Sequence, residues 1–366
     1  MEPVFASVTT PPYCPKPSCP FHQHPENWRF KKAGFHPRLH PPHRVQRYRC
    51  LHCGVTFSLR NFSLDYWSHY DGLFPPVFLA LAACSGVRQI GRTVALSLQA
   101  VLRRVRRLAR HCLLLLELFR PLVPLDEPFA LDGFESFAFS QYYPLHLNLL
   151  VGSKSYFCHS FSLSPLRRKG RMTDRQKKRR AQLEARWGRP DPRAIEQGIE
   201  DLLRHVLPEG RPSLLWSDEH PAYPRALRRM KDHRLLHRVI PSTAPRNGQN
   251  PLFPVNLTDL LLRHSSANHK RETIAFSKTM ARVAERAAIL LVWRNFLKSR
   301  SERRRNAPPA EFLGLVRRRL RAEQVLARRL FPSRMILPPL VERHYRRQVP
   351  TLPLPNERKE ELKRAF

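Results

Sequence analysis

The 366-residue chain sets 65 lysines and arginines against 29 acidic residues, a formal net charge of +36. Such an excess repels itself in a compact state and attracts polyanions, which disfavours acidic partners and points to a phosphate backbone. With 42% apolar residues and five tryptophans there is material for a medium-sized core plus small appendages.

The first residues, "MEPVFASVTTPP", show no cationic start followed by an apolar run, and the runs "HCLLLLELF" and "RAAILLVW" are too short to span a bilayer. No membrane role and a reducing, cytoplasmic setting are expected, in which the seven cysteines are metal ligands or buried thiols. Four of them fall into two pairs, Cys14 with Cys19 and Cys50 with Cys53. Tetrahedral Zn2+ requires four soft donors from two tight turns, so residues 10–62 are expected to form a zinc ribbon. In "CLHCG" the two-residue gap lets both thiolates converge while Gly54 relieves the turn. His22, His24 and His52 are read as surface or loop residues rather than ligands. The intervening "NWRFKKAGFHPRLHPPHRVQRYR" mixes cations with rings, the composition of an arm that faces nucleic acid.

Residues 74–112 read as three helices: "PPVFLALAAC", "GVRQIGRTVAL" and "SLQAVLRRVRRLARHC", the last capped by Ser97. In the third, Leu98, Val101, Leu102, Val105 and Leu108 form an apolar stripe, and Arg103, Arg104, Arg106, Arg107 and Arg110 fill the other face. This is the pattern of a helix-turn-helix that offers its last helix to the major groove of double-stranded DNA.

From residue 126 the texture turns strand-like. "FALDGFESFAF", "HLNLLVG" and "KSYFCHSFSLS" predict a three-strand meander, and "SLLWSDEH" and "RLLHRVI" two further strands, giving an α/β domain over 126–300. A basic insertion at 165–192 is expected to be a loop or exposed helix lying along nucleic acid. "DPRAIEQGIEDLLRHVL" predicts a helix capped by Asp191, and "RVAERAAILLVWRNF" a helix covering the sheet through Ala284, Ala287, Ile289, Leu290 and Trp293. The segment 301–366 is basic and proline-punctuated, read equally as a DNA-embracing tail or a disordered one. Asp132 sits within an apolar strand and Asp218 at the end of another. Buried carboxylates are expensive unless paired or bound to metal, so two of them on one sheet make a candidate Mg2+ or Mn2+ site.

Taken together, "CLHCG", "GVRQIGRTVALSLQAVLRR", "LDGFESF", "SDEHPAY" and "RETIAFSK" resemble, in order and spacing, a bacterial transposase of the Insertion Sequence One type, over roughly residues 10 to 300. The resemblance implies a ribonuclease H-like mixed sheet flanked by helices, with an Asp-Asp-Glu catalytic site, preceded by the zinc ribbon and helix-turn-helix. It implies cleavage and joining of transposon DNA ends by metal-dependent phosphoryl transfer, a homo-oligomer on DNA and a nucleoid-associated location. Asp132 and Asp218 match the first two metal-binding aspartates. Laying "RETIAFSK" on the family's corresponding segment puts Arg263 at its basic position and Asn256 where the family has glutamate.

On a helix Asn256, Asp259 and Arg263 share one face, so the third ligand is Asn256, assisted or replaced by Asp259. Glu272, about 24 Å farther along a straight helix, is set aside. The amide at 256 leaves open a second reading, a repurposed DNA-binding descendant without chemistry. A basic RNA-binding or ribosome-associated protein would account for the charge and the ribbon, but not for "LDGFESF" and "SDEHPAY".

Overall fold

The computed structural model describes residues 2–270, 273–302 and 306–349. At the N-terminus β1 (Phe30–Pro37), β2 (Arg44–Cys50) and β3 (Thr56–Phe57) form a small antiparallel sheet. Its rings pack in a core of their own, in which Trp28, Phe30 and Tyr48 surround Phe57.

Three helices follow: α1 (Phe74–Ala82), α2 (Val87–Thr93) and α3 (Leu98–Phe119). Ser97 caps α3, its side chain accepting from the Ala100 amide. The expectation that this unit ends at residue 112 is corrected, because α3 runs on through the apolar "HCLLLLELF". No proline interrupts the chain before Pro121, and Leu113, Leu114, Leu115 and Phe119 are buried. The three helices therefore share one core with the sheet domain.

That domain is built on β4 (Phe129–Phe137), β5 (Pro144–Gly152), β6 (Cys158–Pro165), β7 (Ser213–Ser217) and β8 (Leu235–Val239). The sheet order is β6-β5-β4-β7-β8, in which β5 runs antiparallel to both β4 and β6, and β7 and β8 are added parallel to β4. Both faces of β4 are buried: Ala130 and Phe134 face the core shared with α3, while Phe129 and Leu131 face a second core.

Four helices flank the strands. After β6 comes α4 (Asp174–Trp187), then α5 (Ala194–Val206), α6 (Ala222–Leu227) and α7 (Phe253–Ser265). The basic insertion thus holds an ordered, exposed helix, opened by a capping box of Thr173 and Gln176 and followed by Gly188 at φ +84°. Asp191 does not occupy the cap position of α5, which falls to Arg193. Its carboxylate accepts from the Arg193 amide and from Gln197 Nε2 just ahead of the helix.

Next, α8 (Met280–Val292) is apolar nearly all round and lies between α3 and the sheet. The described part of the tail, 306–349, is neither a free arm nor loose. It contains α9 (Pro309–Phe312), α10 (Ala322–Val325) and α11 (Pro339–Tyr345), and it straps back across the molecule. Phe331 enters the N-terminal core, Val325 the main core and Leu340 the second core. Residues 350–366 of that tail, and Glu272, lie outside the described residues.

Candidate functional site

Among the described residues, the sulfurs of Cys14, Cys19, Cys50 and Cys53 converge within 4.8 Å of one another, with Cys14 Sγ 3.6 Å from Cys53 Sγ. Cys50 closes β2, and the turn to Cys53 is completed by Gly54 at φ +72°. Burial pushes the Cys14 and Cys19 thiols up. For Cys50 burial is outweighed by bonds from the Cys53 backbone and from Trp28 Nε1, 3.2 Å away, which bring it down to about 7. The set of four buried or half-buried soft donors could hold a metal such as zinc.

His52 Nδ1 stands 3.8 Å from Cys19 Sγ, outside the four, and His24 is exposed. His22, expected at the surface, is fully buried. Its Nδ1–H donates to the Cys14 carbonyl (2.7 Å) and its Nε2 meets Ser333 Oγ (2.8 Å). The tail strap thus reaches the back of the cysteine cluster, a partner no local pattern could have announced.

The arginine face of α3 is corrected. Only Arg103 is exposed. Arg104 is buried and donates to the Tyr70 carbonyl, and Arg107 donates to the Tyr66 carbonyl; both lie over the Phe74 ring. Arg110 donates to the Tyr345 carbonyl and stacks on that ring. Arg106 is half-buried, its charge opposed by Arg282 and Arg347 and favoured by Glu285. Loop 62–72 and the tail cover this side of the helix, because guanidinium groups satisfy several carbonyls while their stems pack on rings.

The carboxylates assemble at the carboxyl end of β4 and β7. These strands pair in parallel with Ala130 opposite Trp216, so continuing the register two residues sets Asp132 opposite Asp218, just past β7. Packed on β4, α7 brings Asp259 to the same place. The electrostatic couplings report this meeting: the charge of Asp132 is disfavoured by burial first and then by Asp218. Asp259 is disfavoured by burial and by Asp132. Asp132 is raised to about 6 and Asp259 well above the ordinary carboxylate range.

Asp259 Oδ1 is buried with no hydrogen-bond partner among the described residues, an atom that a cation would satisfy. The three carboxylates are spread too widely to fall within the 4.8 Å that the cysteines meet. Asn256, one turn earlier on α7, is half-buried and makes no side-chain hydrogen bond with the groups around Asp132. Asp259 is the α7 side chain whose charge meets that of Asp132, and Asn256 stands three residues before it on the same helix. Arg263 holds the same helix against β4: its Nη2 reaches the Glu135 carbonyl at 3.4 Å and its guanidinium lies 4.8 Å from the Phe134 ring.

Three further groups belong here that the sequence reading passed over, although "SDEHPAY" contains two of them. Tyr223 Oη donates to Asp132 Oδ1 at 3.2 Å. Asp218 Oδ1 accepts from the His220 amide at 2.9 Å. The His220 ring faces that of His146 on β5, 6.4 Å away and inclined by 28°, and His146 Nδ1–H donates to Asn148 Oδ1. Gly133 follows Asp132 because β5 crosses so closely that a Cβ there would stand 2.0 Å from the Leu147 carbonyl oxygen.

No protein-family model matches the chain, and no match was found among curated proteins.

Proposed function

We propose that the protein is a DNA transposase that cuts and joins element ends by metal-dependent phosphoryl transfer. The observation that carries this reading is the meeting of Asp132, Asp218 and Asp259 from β4, the end of β7 and α7. The sheet supports it too: three antiparallel strands followed by two parallel ones, in the order 3-2-1-4-5, is the arrangement expected of a ribonuclease H-like domain.

Asp132, Asp218 and Asp259 would hold Mg2+ or Mn2+, hard cations that prefer carboxylate oxygen. When bound, such ions activate a water or 3′-hydroxyl and steady the leaving oxygen in an in-line attack at phosphorus. The chain's own groups prepare the site. Tyr223 holds Asp132 in one orientation by donating to Oδ1, and the His220 amide does the same for Asp218. Arg263 opposes the raised pKa of Asp259 from the adjacent turn. Arg246, whose charge lowers the Asp132 pKa, supplies positive potential for a phosphodiester.

The reading as a non-catalytic descendant rests on the amide at 256. Against it, Asp259 supplies a carboxylate one turn on, beside Asp132. The test is nicking of duplex DNA spanning the flanks of the protein's own gene, with and without Mg2+. Activity that needs the ion and is lost in Asp132→Asn and Asp218→Asn supports the reading. A folded, zinc-loaded protein that leaves this DNA intact overturns it.

A further inference from the structure

We propose that the exposed face of α4 is the main phosphate-backbone contact of this protein, with duplex DNA as its partner. The proposal rests on the reading of the carboxylate site as DNA-processing. Lys178, Arg179 and Arg186 stand three, four and eleven residues after Arg175, and all four are exposed. At 100° per residue they fall within one stripe. From Arg175 to Arg186 the stripe is about 16 Å long, a length over which duplex DNA carries about ten phosphate charges.

The two acids of α4 are taken up by other cations: Asp174, at the edge of the stripe, pairs with Lys177, and Glu184, on the opposite side of the helix, pairs with Arg167 and Arg180. Nor is α4 a loose appendage. Arg167 grips Glu184 with two bonds (2.8 and 3.1 Å), Arg180 donates to the Arg168 carbonyl, and Arg168 lies over the Tyr142 ring. A cationic surface held in place loses less entropy on meeting a phosphate array than free lysines would.

Position points the same way. Both β4 and β6 run antiparallel to β5, so the carboxyl end of β6, from which α4 departs, lies at the sheet end that carries Asp218. A duplex seated on the stripe would run beside the carboxylates. On α3, by contrast, four of the five arginines expected to face DNA are turned into the fold.

The experiment is fluorescence anisotropy of a labelled duplex of about 25 base pairs titrated with the full zinc-loaded chain, at several KCl concentrations. It compares wild type, the surface triple variant Arg175→Gln/Lys178→Gln/Arg179→Gln, and Arg103→Gln. Each lost phosphate contact lowers the slope of log K against log salt by about 0.9. The triple variant is expected to bind at least tenfold more weakly near 0.1 M salt, with a slope smaller by two to three, while Arg103→Gln changes it by at most one. Unchanged affinity and slope in the triple variant overturn the proposal, as does a loss confined to an RNA duplex of the same length. Binding is read without catalysis: in Asp218→Asn the α4 dependence persists if the surface is right, whatever becomes of nicking. Nicking that survives with binding indifferent to α4 would remove this surface and leave the catalytic reading standing.

Discussion

Asp132 carries a charge that its surroundings resist, and Tyr223 is the neighbour that eases it. Removing the hydroxyl in Tyr223→Phe takes away a donor to the charged form and leaves the carboxylate buried. The Asp132 pKa, already about 6, is expected to rise further. In the metal-free protein, Mn2+ affinity measured against pH should shift its midpoint upward in Tyr223→Phe, with tenfold or more lost at pH 6.5 and a smaller loss at pH 8. A profile that keeps its wild-type midpoint would mean the hydroxyl does not govern this carboxylate. The sequence made the residue scale legible in part. Asp132 stands out as an acid inside an apolar strand and Asp218 as one at the end of another, and helical spacing placed Asp259 on the face of Asn256 and Arg263. Choosing between Asn256 and Asp259 as the third ligand takes more than spacing, because it depends on how α7 packs against β4. Tyr223 was invisible because a tyrosine in a short helix reads as core until its hydroxyl is seen to face a carboxylate.

At the scale of elements, the strands were the most legible, since β4 to β8 announce themselves by alternation and length. The arginine face of α3 was not. Periodicity says which side of a helix is polar but not whether water or a chain segment covers it, and here loop 62–72 and the tail do so. The tail itself was unreadable, because helices of four to seven residues broken by prolines give no period to follow. Its hold on the ribbon can be tested through Phe331, whose ring meets Tyr13, His22 and Phe62. Phe331→Ala should cost about 3–5 kcal/mol, as burial of a large ring implies. Amide exchange should quicken first around the cysteine cluster. A variant with wild-type stability and exchange would mean the strap is not what fixes the N-terminal sheet and its cysteines. A second test lies on the opposite face, where Gly198 lets α5 approach β5 and β6. A Cβ there would stand 2.4 Å from Ser164 Oγ and would break a seam in which Asn148 bonds Ser162 and Ser164. Gly198→Ala is expected to lower Tm by several degrees in spite of its better helix propensity, and a rise would contradict the tight approach.

The whole molecule buries several histidines in neutral form: burial holds His111 down at about 4 and His159, His269 and His344 at about 3. Unfolded, each would titrate near 6.5, so below that pH the unfolded chain binds protons that the folded one refuses. Stability from these groups is full above 6.5 and drains as pH falls toward their folded values, by about 1.4 kcal/mol per histidine per pH unit. At pH 5 the four together amount to on the order of 8 kcal/mol, comparable with the whole stability of a domain. Thermal unfolding followed from pH 7 to pH 5 should show a steep fall in Tm, and a flat profile would contradict their burial as neutral rings. The same scale holds the net charge of +36, which stays dispersed while arginines are absorbed into the fold and concentrates in exposed stripes such as that of α4.

We propose that Asp132, Asp218 and Asp259 act together as a metal-dependent phosphoryl-transfer site. The measurement that meets it most directly is Mg2+-dependent nicking of DNA from the flanks of the gene by Asp259→Asn and Asn256→Ala side by side, each first shown to be folded. Loss of at least a hundredfold in Asp259→Asn, with Asn256→Ala within a few-fold of wild type, is the result expected of the geometry around Asp132. The reverse pattern, or equal activity in both, would contradict it.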